Sequence, residues 1–186
     1  MLRPEYPIAT ARLLLRPFRE DDLDDLHAIQ SRDDISRYLY WSARSREEVA
    51  DVIADRMTMS AIEEEGDILV LAAELRETGT VIGDVNLGWE SEEHQKGEFG
   101  FVFHPDYHGR GYAGEAAVEM LRLGFEGLGL HRIVGRADGR NKASARLMEK
   151  LGLRREAHFV ENEMVKGEWT DEVVYAMLAT EWADRR

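Results

Sequence analysis

The chain has 186 residues, 44% of them hydrophobic and 33% charged, which suits a single globular domain spanning residues 1–186. A formal net charge of −13 argues against sequence-independent nucleic-acid binding, and no apolar run approaches the roughly 20 residues that span a bilayer. Cysteine is absent, which excludes disulfides, thiolate metal sites and a cysteine-linked acyl-enzyme.

Apolar periodicity predicts one strand and two helices in the first third of the chain. Residues 10–18 have the pattern of a strand, and residues 20–30 place apolar side chains at helical spacing. An acidic cluster lies in the first turns of this helix, where it complements the helix dipole, and we interpret it as a solvated helix start. A second helix is predicted to begin at Ser45, where Ser-Arg-Glu-Glu fits a capping box, and to end near Gly66.

The rest of the chain is predicted to alternate between strands and helices. Strands are expected over residues 68–76, 81–89, 98–103, 132–137, 154–165 and 169–178, and helices over residues 111–128 and 141–151. Glycine-containing turns would join the first and last strand pairs of this set into hairpins. Because a βαβ unit lies between the two hairpins, we predict an α/β fold with a mixed, mostly antiparallel central sheet and helices on both faces.

A glycine-rich segment, HPDYHGRGYA over residues 104–113, joins a predicted strand to a predicted helix. The first N–H groups of a helix lack intrahelical acceptors and lie at the positive end of its dipole. Gly109 and Gly111 would let a phosphate approach the backbone, and Arg110 and His108 would add positive charge. The pattern favours an anion site, with an ordinary glycine-rich turn as the alternative.

Three segments of the chain resemble motifs of the GCN5-related N-acetyltransferase (GNAT) family. His-x-x-Gly-x-Ala over residues 108–113 resembles the [Gln/Arg]-x-x-Gly-x-[Gly/Ala] cofactor motif, with histidine at the first position. Asn141-x-x-Ser144, followed by EKLGL, resembles the family's Asn-x-x-Ser element. GEWTD over residues 167–171 resembles the closing hairpin of the ribosomal-protein alanine N-acetyltransferase branch. The order and spacing of these motifs extend the resemblance over nearly the whole chain, and it implies the GNAT acyl-CoA N-acyltransferase fold.

The resemblance implies acetyl-CoA as co-substrate and no metal. Its pyrophosphate would lie on the backbone N–H groups of the glycine-rich loop, and its pantetheine arm would pair with the preceding strand, where sheets of the family splay open. The residues expected to bind acetyl-CoA are Phe101, Val102, Phe103, His108, Gly109, Arg110, Gly111, Tyr112, Ala113, Asn141 and Ser144.

Acetyl transfer to an amine requires a base, because the nucleophile must be neutral. An unperturbed α-amine has a pKa of ~8 and a lysine side chain one of ~10.4, so an α-amine demands less of the base. The resemblance makes Glu163 the preferred catalytic base and Glu98 the second candidate, with an exposed strand carboxylate as the alternative for each. Ser144 is expected to hydrogen-bond the leaving thiolate, unless it serves only in the first helical turn that Asn141 would cap.

The acceptor-binding residues are expected to be Tyr38, Trp41, Trp169 and Asp171. Tyr38 and Trp41 cluster with Tyr40 in the segment that covers the acceptor site in similar enzymes, although aromatic clusters are more often core. Trp169 and Asp171 could instead stabilise the closing hairpin.

We expect a cytoplasmic enzyme, monomeric or homodimeric, whose partners are acetyl-CoA and an amine and include neither nucleic acid nor membrane. The leading acceptor is a protein or peptide N-terminal α-amine. Polyamines, aminoglycosides and amino acids are alternatives within the same chemistry, and a non-catalytic CoA-binding regulatory module is the alternative outside it. A P-loop nucleotide site is disfavoured because G-x-x-x-x-G-K-[ST] does not occur.

Overall fold

In the computed structural model, which describes residues 1–185, one continuous eight-stranded sheet forms the centre of the molecule. Its strands are β1 (Ile8–Ala9), β2 (Leu13–Arg16), β3 (Ile68–Leu75), β4 (Val81–Ser91), β5 (Lys96–Phe103), β6 (Arg132–Asp138), β7 (Arg154–Val165) and β8 (Glu168–Leu178). They lie in the order β1-β2-β3-β4-β5-β6-β8-β7, and β5–β6 is the one parallel pair among the described residues. The predicted α/β fold with a mixed, mostly antiparallel sheet is confirmed.

The helices are α1 (Leu23–Gln30), α2 (Asp33–Ser36), α3 (Arg46–Thr58), α4 (Tyr112–Arg122), α5 (Lys142–Lys150) and α6 (Ala179–Ala183). They cover both faces of the sheet. Alternate residues of β3 show this: Leu69 and Leu71 belong to the core under α4 and α5, whereas Val70 and Ala72 pack with α1 and α3. A strand buried on both faces has a continuous apolar run, as β3 does. Within the described part of the chain, no helix combines the length and apolar character that a bilayer crossing requires.

Helix α3 begins as predicted and ends earlier than predicted. Ser45 Oγ accepts the Glu48 N–H at 3.2 Å, and Glu48 Oε2 accepts the Ser45 N–H at 2.7 Å, which completes the capping box. The prediction of an end near Gly66 is wrong, because the helix stops at Thr58. Ile62 is fully buried and forms a β-bridge with Leu2, so a contact distant in sequence draws this segment out of the helix.

Part of the acidic cluster before α1 is buried, so its interpretation as a fully solvated helix start is wrong. Arg16 holds both carboxylate oxygens of Asp22 at 2.7 and 2.8 Å, and its Nε donates to Glu74 at 2.6 Å. Arg16 and Asp22 are both buried, and Asp22 also accepts the Arg19 N–H at 2.8 Å. The pair therefore fastens the start of α1 to β2 and β3.

Replacing Asp22 with alanine is expected to destabilise the fold by about 3–5 kcal/mol, because it leaves a buried guanidinium with one of its two carboxylate partners. Urea unfolding monitored by circular dichroism measures this loss. Asp21 is the matched control, since it is exposed and adjacent, and Asp21→Ala should stay within about 0.5 kcal/mol of wild type. Equal midpoints for the two variants would contradict a stabilising role for the Arg16–Asp22 pair.

Candidate active site

The glycine-rich loop ends in an exposed helix N-terminus. Gly109 and Gly111 have φ values of 73° and 85°, and Gly111 is the N-cap of α4. Within residues 1–185, the N–H groups of residues 109–114 meet no hydrogen-bond acceptor, and the first bonded N–H of the helix is that of Glu115, to the Gly111 carbonyl at 3.0 Å. Free backbone donors at the positive end of a helix dipole form an anion site, and their geometry fits a pyrophosphate.

Residues before β2 hold this loop in place. Glu115 accepts hydrogen bonds from Thr10 Oγ1 at 2.6 Å and from Arg12 N and Nε, both at 2.7 Å. Arg12 also donates to the Arg110 carbonyl at 2.8 Å and lies 4.3 Å from the centre of the Tyr112 ring. Because Arg12 contacts both the loop and the helix, contacts within the protein fix the geometry of the loop.

His108, at the first position of the motif, contacts the backbone of β5. Its Nε2 lies 2.7 Å from the Phe103 carbonyl oxygen. The ring therefore donates from Nε2 and joins the end of β5 to the loop. A direct contact of His108 with phosphate stays a prediction.

The sheet opens between its two parallel strands. Pairing of β5 with β6 covers three positions and ends where Glu98 lies opposite Val134, although β5 continues to Phe103 and β6 to Asp138. On its other side β5 stays paired with β4 as far as Phe103. The opening is thus confined to the edge of β5 that faces β6.

This open edge offers backbone hydrogen-bonding groups. The His104 N–H bonds the Ile82 carbonyl on the β4 side, and backbone groups of alternate residues face opposite sides of a strand. Those of Phe101 and Phe103 therefore face the opening, whereas those of Val102 face β4. An extended, amide-rich molecule such as the pantetheine arm can pair there as an added strand.

Carboxylates from two strands meet around Arg136 on the face of the sheet that α1 and α3 cover. Arg136 Nε lies 2.9 Å from Glu98 Oε2, and its Nη1 lies 3.2 Å from Glu172 Oε1. Asn162 Nδ2 donates to the other oxygen of Glu172 at 3.1 Å. These four residues come from β5, β6, β8 and β7, and Glu98 stands where the sheet opens.

Burial raises the pKa of Glu98 to about 7; Arg136 opposes this shift, and the neighbouring Glu90 adds to it. Glu90 itself pairs with Lys96 at 2.7 Å. A carboxylate with a pKa near neutrality can accept a proton from an amine and release it again at physiological pH. Glu98 therefore has the proton affinity that a general base needs.

The β7–β8 hairpin meets the segment between α1 and α3 over this face. Tyr40 Oη donates to Glu163 Oε2 at 2.6 Å, and Lys166 Nζ donates to the Ser36 carbonyl at 2.6 Å. Burial, the bond to Glu163 and the charges of Glu172 and Glu98 raise the pKa of the Tyr40 hydroxyl. Both predicted bases, Glu163 and Glu98, thus act on the same hydroxyl, and we call the region bounded by Tyr40, Glu98, Glu163 and Glu172 the acidic cleft.

Asn141 is the N-cap of α5, and its Oδ1 accepts the Ser144 N–H at 3.1 Å. The capping alternative for Asn141 is confirmed. The Ser144 hydroxyl makes no hydrogen bond within the described residues, so its backbone serves the cap while its side chain stays available.

The predicted acceptor-site aromatics are partly buried under arginines. Arg37 lies 5.4 Å from the centre of the Tyr38 ring, and Arg44 lies 4.7 Å from that of Trp41. Trp169, on β8, is 59% exposed. Contact of these rings with an acceptor stays a prediction.

Asp171 stabilises an irregular stretch of β7. Its carboxylate accepts the Glu161 N–H at 2.9 Å and lies 2.6 Å from His158 Nε2. The register of β7 shifts between Phe159 and Glu163, and Glu161 has a φ of 47°. These contacts fit the hairpin alternative, and a role of Asp171 in substrate binding stays a prediction.

Four residues that shape the site were not singled out in the sequence: Arg12, Glu115, Arg136 and Glu172. Arg136 and Glu172 interrupt apolar strand sequences with charge, which is a usable signal for a polar cleft. Arg12 and Glu115 lie 103 positions apart in the chain, and no local pattern connects them.

Comparison with known proteins adds a family assignment to this geometry. A family model described as an acetyltransferase (GNAT) domain matches residues 12–154. The uncharacterized N-acetyltransferase YnaD of Bacillus subtilis is 33% identical over 175 residues, which cover 94% of this chain and 98% of the relative.

Solved structures agree with the family assignment. The crystal structure of a GNAT-family acetyltransferase from Bacillus anthracis superposes with a TM-score of 0.84 and 31% identity, covering 94% of this chain and 99% of the other. Spermidine N-acetyltransferase from Vibrio cholerae, solved in complex with CoA and spermine, has the same fold, with a TM-score of 0.77 and 23% identity over 94% of this chain and 99% of the other.

Proposed function

The chain belongs to the GNAT acetyltransferase family, and from that premise we propose that it moves the acetyl group of acetyl-CoA directly onto a primary amine held in the acidic cleft. Acetyl-CoA is the donor and an amine the acceptor of this family. The observation that carries the proposal is the opening between β5 and β6, because it connects the helix N-terminus with Glu98. A donor on one side of the opening and an amine on the other would meet there.

The donor is held by backbone groups in this proposal. The free N–H groups of residues 109–114 take the pyrophosphate, and the open edge at Phe101 and Phe103 takes the pantetheine arm. Fixed main-chain donors act at contact distance, which explains how a chain with a net charge of −13 can bind a polyanion. Acetyl-CoA supplies an acetyl group already activated as a thioester.

Glu98 is the general base in this proposal. It removes a proton from the bound ammonium group, and the amine nitrogen then forms the new bond to the acetyl carbon. The carbon–sulfur bond breaks with its electron pair going to sulfur, and the thiolate takes up the second proton that the nitrogen loses as the amide forms. Glu98 replaces Glu163, the base preferred from the sequence, because burial raises the pKa of Glu98 to about 7 and because Glu98 stands where the sheet opens. Glu163 and Tyr40 then form a wall of the cleft.

An α-amine is the preferred acceptor. Its pKa of ~8 lies close to that of Glu98, so the proton moves at small cost, whereas a lysine or polyamine nitrogen at ~10.4 demands more. A polyamine is the second candidate, because Glu98, Glu163 and Glu172 meet in one cleft and would attract a polycation. The relative from Vibrio cholerae, whose structure contains spermine, motivates testing it.

The proposal is tested by acetyl-CoA-dependent thiol release with a panel of peptide N-termini, amino acids, aminoglycosides and polyamines. Turnover on at least one amine class is expected. Calorimetry with acetyl-CoA identifies the rival function, because binding without turnover on any amine would indicate a CoA-binding regulatory module. Absence of both binding and turnover would contradict both functions.

Ser144→Ala is expected to reduce kcat less than about tenfold. A thiolate is already a good leaving group, so a hydrogen bond from the Ser144 hydroxyl adds little, and alanine keeps the backbone N–H that Asn141 caps. Asn141→Ala is the comparison variant, since loss of the cap should destabilise the protein by about 1 kcal/mol. A loss of activity of a hundredfold or more in Ser144→Ala would instead assign the hydroxyl an essential part in proton transfer.

A further inference from the structure

A fully buried amide at the end of α1 has donors without an acceptor. Gln30, at the end of α1, is 0% exposed. Its Oε1 accepts from Arg44 Nη1 at 2.8 Å, and its main-chain carbonyl accepts the Arg44 N–H at 2.9 Å. Its Nε2 has no hydrogen-bond partner among the described residues. Buried polar groups are almost always paired in folded proteins, so this amide requires an explanation.

Arg44, which shares this amide, forms no direct ion pair among the described residues, although the charges of Glu48 and Asp84 act on it. No carboxylate of the described residues lies within ion-pair distance of it, and its guanidinium packs on the Trp41 ring at 4.7 Å. Burial and the nearby Arg56 lower the pKa of Arg44. A partly buried arginine without a carboxylate partner is a site for an anion or a carbonyl oxygen.

These groups lie on the same face of the sheet as Glu98. Asp84 of β4 pairs with Arg56 of α3 at 2.9 Å, and its charge acts on Arg44. Gly88 lies four positions after Asp84 on β4 and stands opposite Glu98 on β5. Positions an even number apart on a strand share one face, so Asp84 and Glu98 lie on the same face. Arg44 and Glu98 therefore lie on the same face of the sheet.

Asn86 lies between them. On β4 it stands opposite Gly100, and a Cβ atom at Gly100 would approach its Nδ2 to 2.8 Å. The Asn86 side chain makes no hydrogen bond within residues 1–185 and is partly exposed. It offers a further donor on the path from Glu98 to Arg44.

We propose that Arg44 and Asn86 form a subsite for an oxygen atom next to the acceptor nitrogen, with Gln30 positioning the Arg44 guanidinium, so that the acceptor is an α-amino acyl group. Such a group has a carboxylate or amide carbonyl beside its amine, as in a free amino acid or the first residue of a peptide. This inference rests on the proposed function and specifies its substrate. A polyamine has no such oxygen for the Arg44 guanidinium to bind.

The test compares Arg44→Met with wild type on four amines: L-alanine, L-alaninamide, isopropylamine and spermidine. Isopropylamine has the carbon skeleton of alanine with a methyl group in place of the carboxylate. The ratio of variant to wild type for each amine cancels differences in amine pKa. We expect Arg44→Met to lower kcat/KM about 10–100-fold for the two alanine compounds, mainly through KM, and less than threefold for the other two. A larger loss on alanine indicates an amino-acid acceptor, and a larger loss on alaninamide a peptide N-terminus.

Arg37→Met is the matched control, because Arg37 also covers a tyrosine ring in the same segment and lies outside the subsite; it should leave all four amines unaffected. Gln30→Met, which keeps a side chain of similar volume, should show the same selective loss at smaller size. Equal losses on all four amines, or a wild type that prefers spermidine and isopropylamine, would overturn the subsite and leave acetyl transfer intact. Absence of transfer to any amine, in this set or in the wider panel, would overturn the proposed function itself.

Discussion

Glu98→Gln is expected to lower kcat/KM for amine acetylation by about 10²–10⁴-fold at pH 7, the range over which general-base catalysis acts. Glutamine has nearly the same shape and can still contact Arg136, but it cannot accept a proton from the ammonium group. Steady-state thiol release measures the loss. Thermal unfolding of the variant separates a chemical defect from a folding defect.

The pH dependence of kcat/KM tests the same prediction independently. Burial raises the pKa of Glu98 to about 7, so the carboxyl group is protonated and inactive as a base below that pH. Wild-type kcat/KM should therefore rise as the pH increases through about 7. This rise is the acidic limb of the pH profile, and Glu98→Gln should lose it. Glu90→Gln should move the limb to lower pH, because Glu90 raises the pKa of Glu98 and its removal also frees the charge of Lys96.

Glu163→Gln is the matched variant that tests which of the two carboxylates is the general base. Its effect should be smaller and should leave the limb near pH 7 in place, because it removes the charge of the group that accepts from the Tyr40 hydroxyl and spares the base. If Glu163→Gln abolishes the limb while Glu98→Gln keeps it, the roles assigned to the two residues are reversed.

The order of the long elements was predictable because each contains a full period of its pattern. Strand β5 is an example: Phe99, Phe101 and Phe103 alternate onto the α4 side as their spacing indicates. The elements β1, α2 and α6, of two, four and five residues, show no clear period in the sequence. They are held by neighbours that are distant in sequence, as β1 is by its pairing with β2.

The candidate site was predictable where one segment contains the chemistry and not where the fold assembles it. The glycine-rich loop combines glycines, a helix start and basic residues in ten positions, so its sequence predicts an anion site. The pKa of Glu98 depends on Arg136 and Glu90, which reach it through the pairing of β5 with β6 and of β4 with β5. Its burial and the repulsion from Glu90 are properties of the assembled sheet, and sequence position alone therefore placed it second to Glu163.

Gly111→Val is expected to weaken acetyl-CoA binding at least tenfold. Gly111 has a φ of 85°, which a β-branched residue adopts only at a cost of about 1–2 kcal/mol or more. A Cβ atom there would already lie 3.4 Å from Arg12 Nη2, so the branched side chain would displace the arginine that holds the loop. The backbone N–H groups would then lose their common orientation toward the pyrophosphate. Calorimetry with acetyl-CoA, and with CoA alone, measures the change in Kd.

Gly79→Val is the matched control, because it imposes the same backbone strain without touching the site. Gly79 has a φ of 75°, lies in the β3–β4 turn, and has no atom within 4 Å of an added Cβ. Both variants should lose comparable stability in thermal unfolding, and Gly111→Val alone should lose affinity. If Gly111→Val binds CoA as tightly as Gly79→Val, the phosphates do not lie on this loop, and a net charge of −13 would have to be overcome elsewhere in the molecule. A selective loss would instead show that backbone donors at one helix start outweigh the repulsion of the whole chain, which falls off over about 8–10 Å in physiological salt.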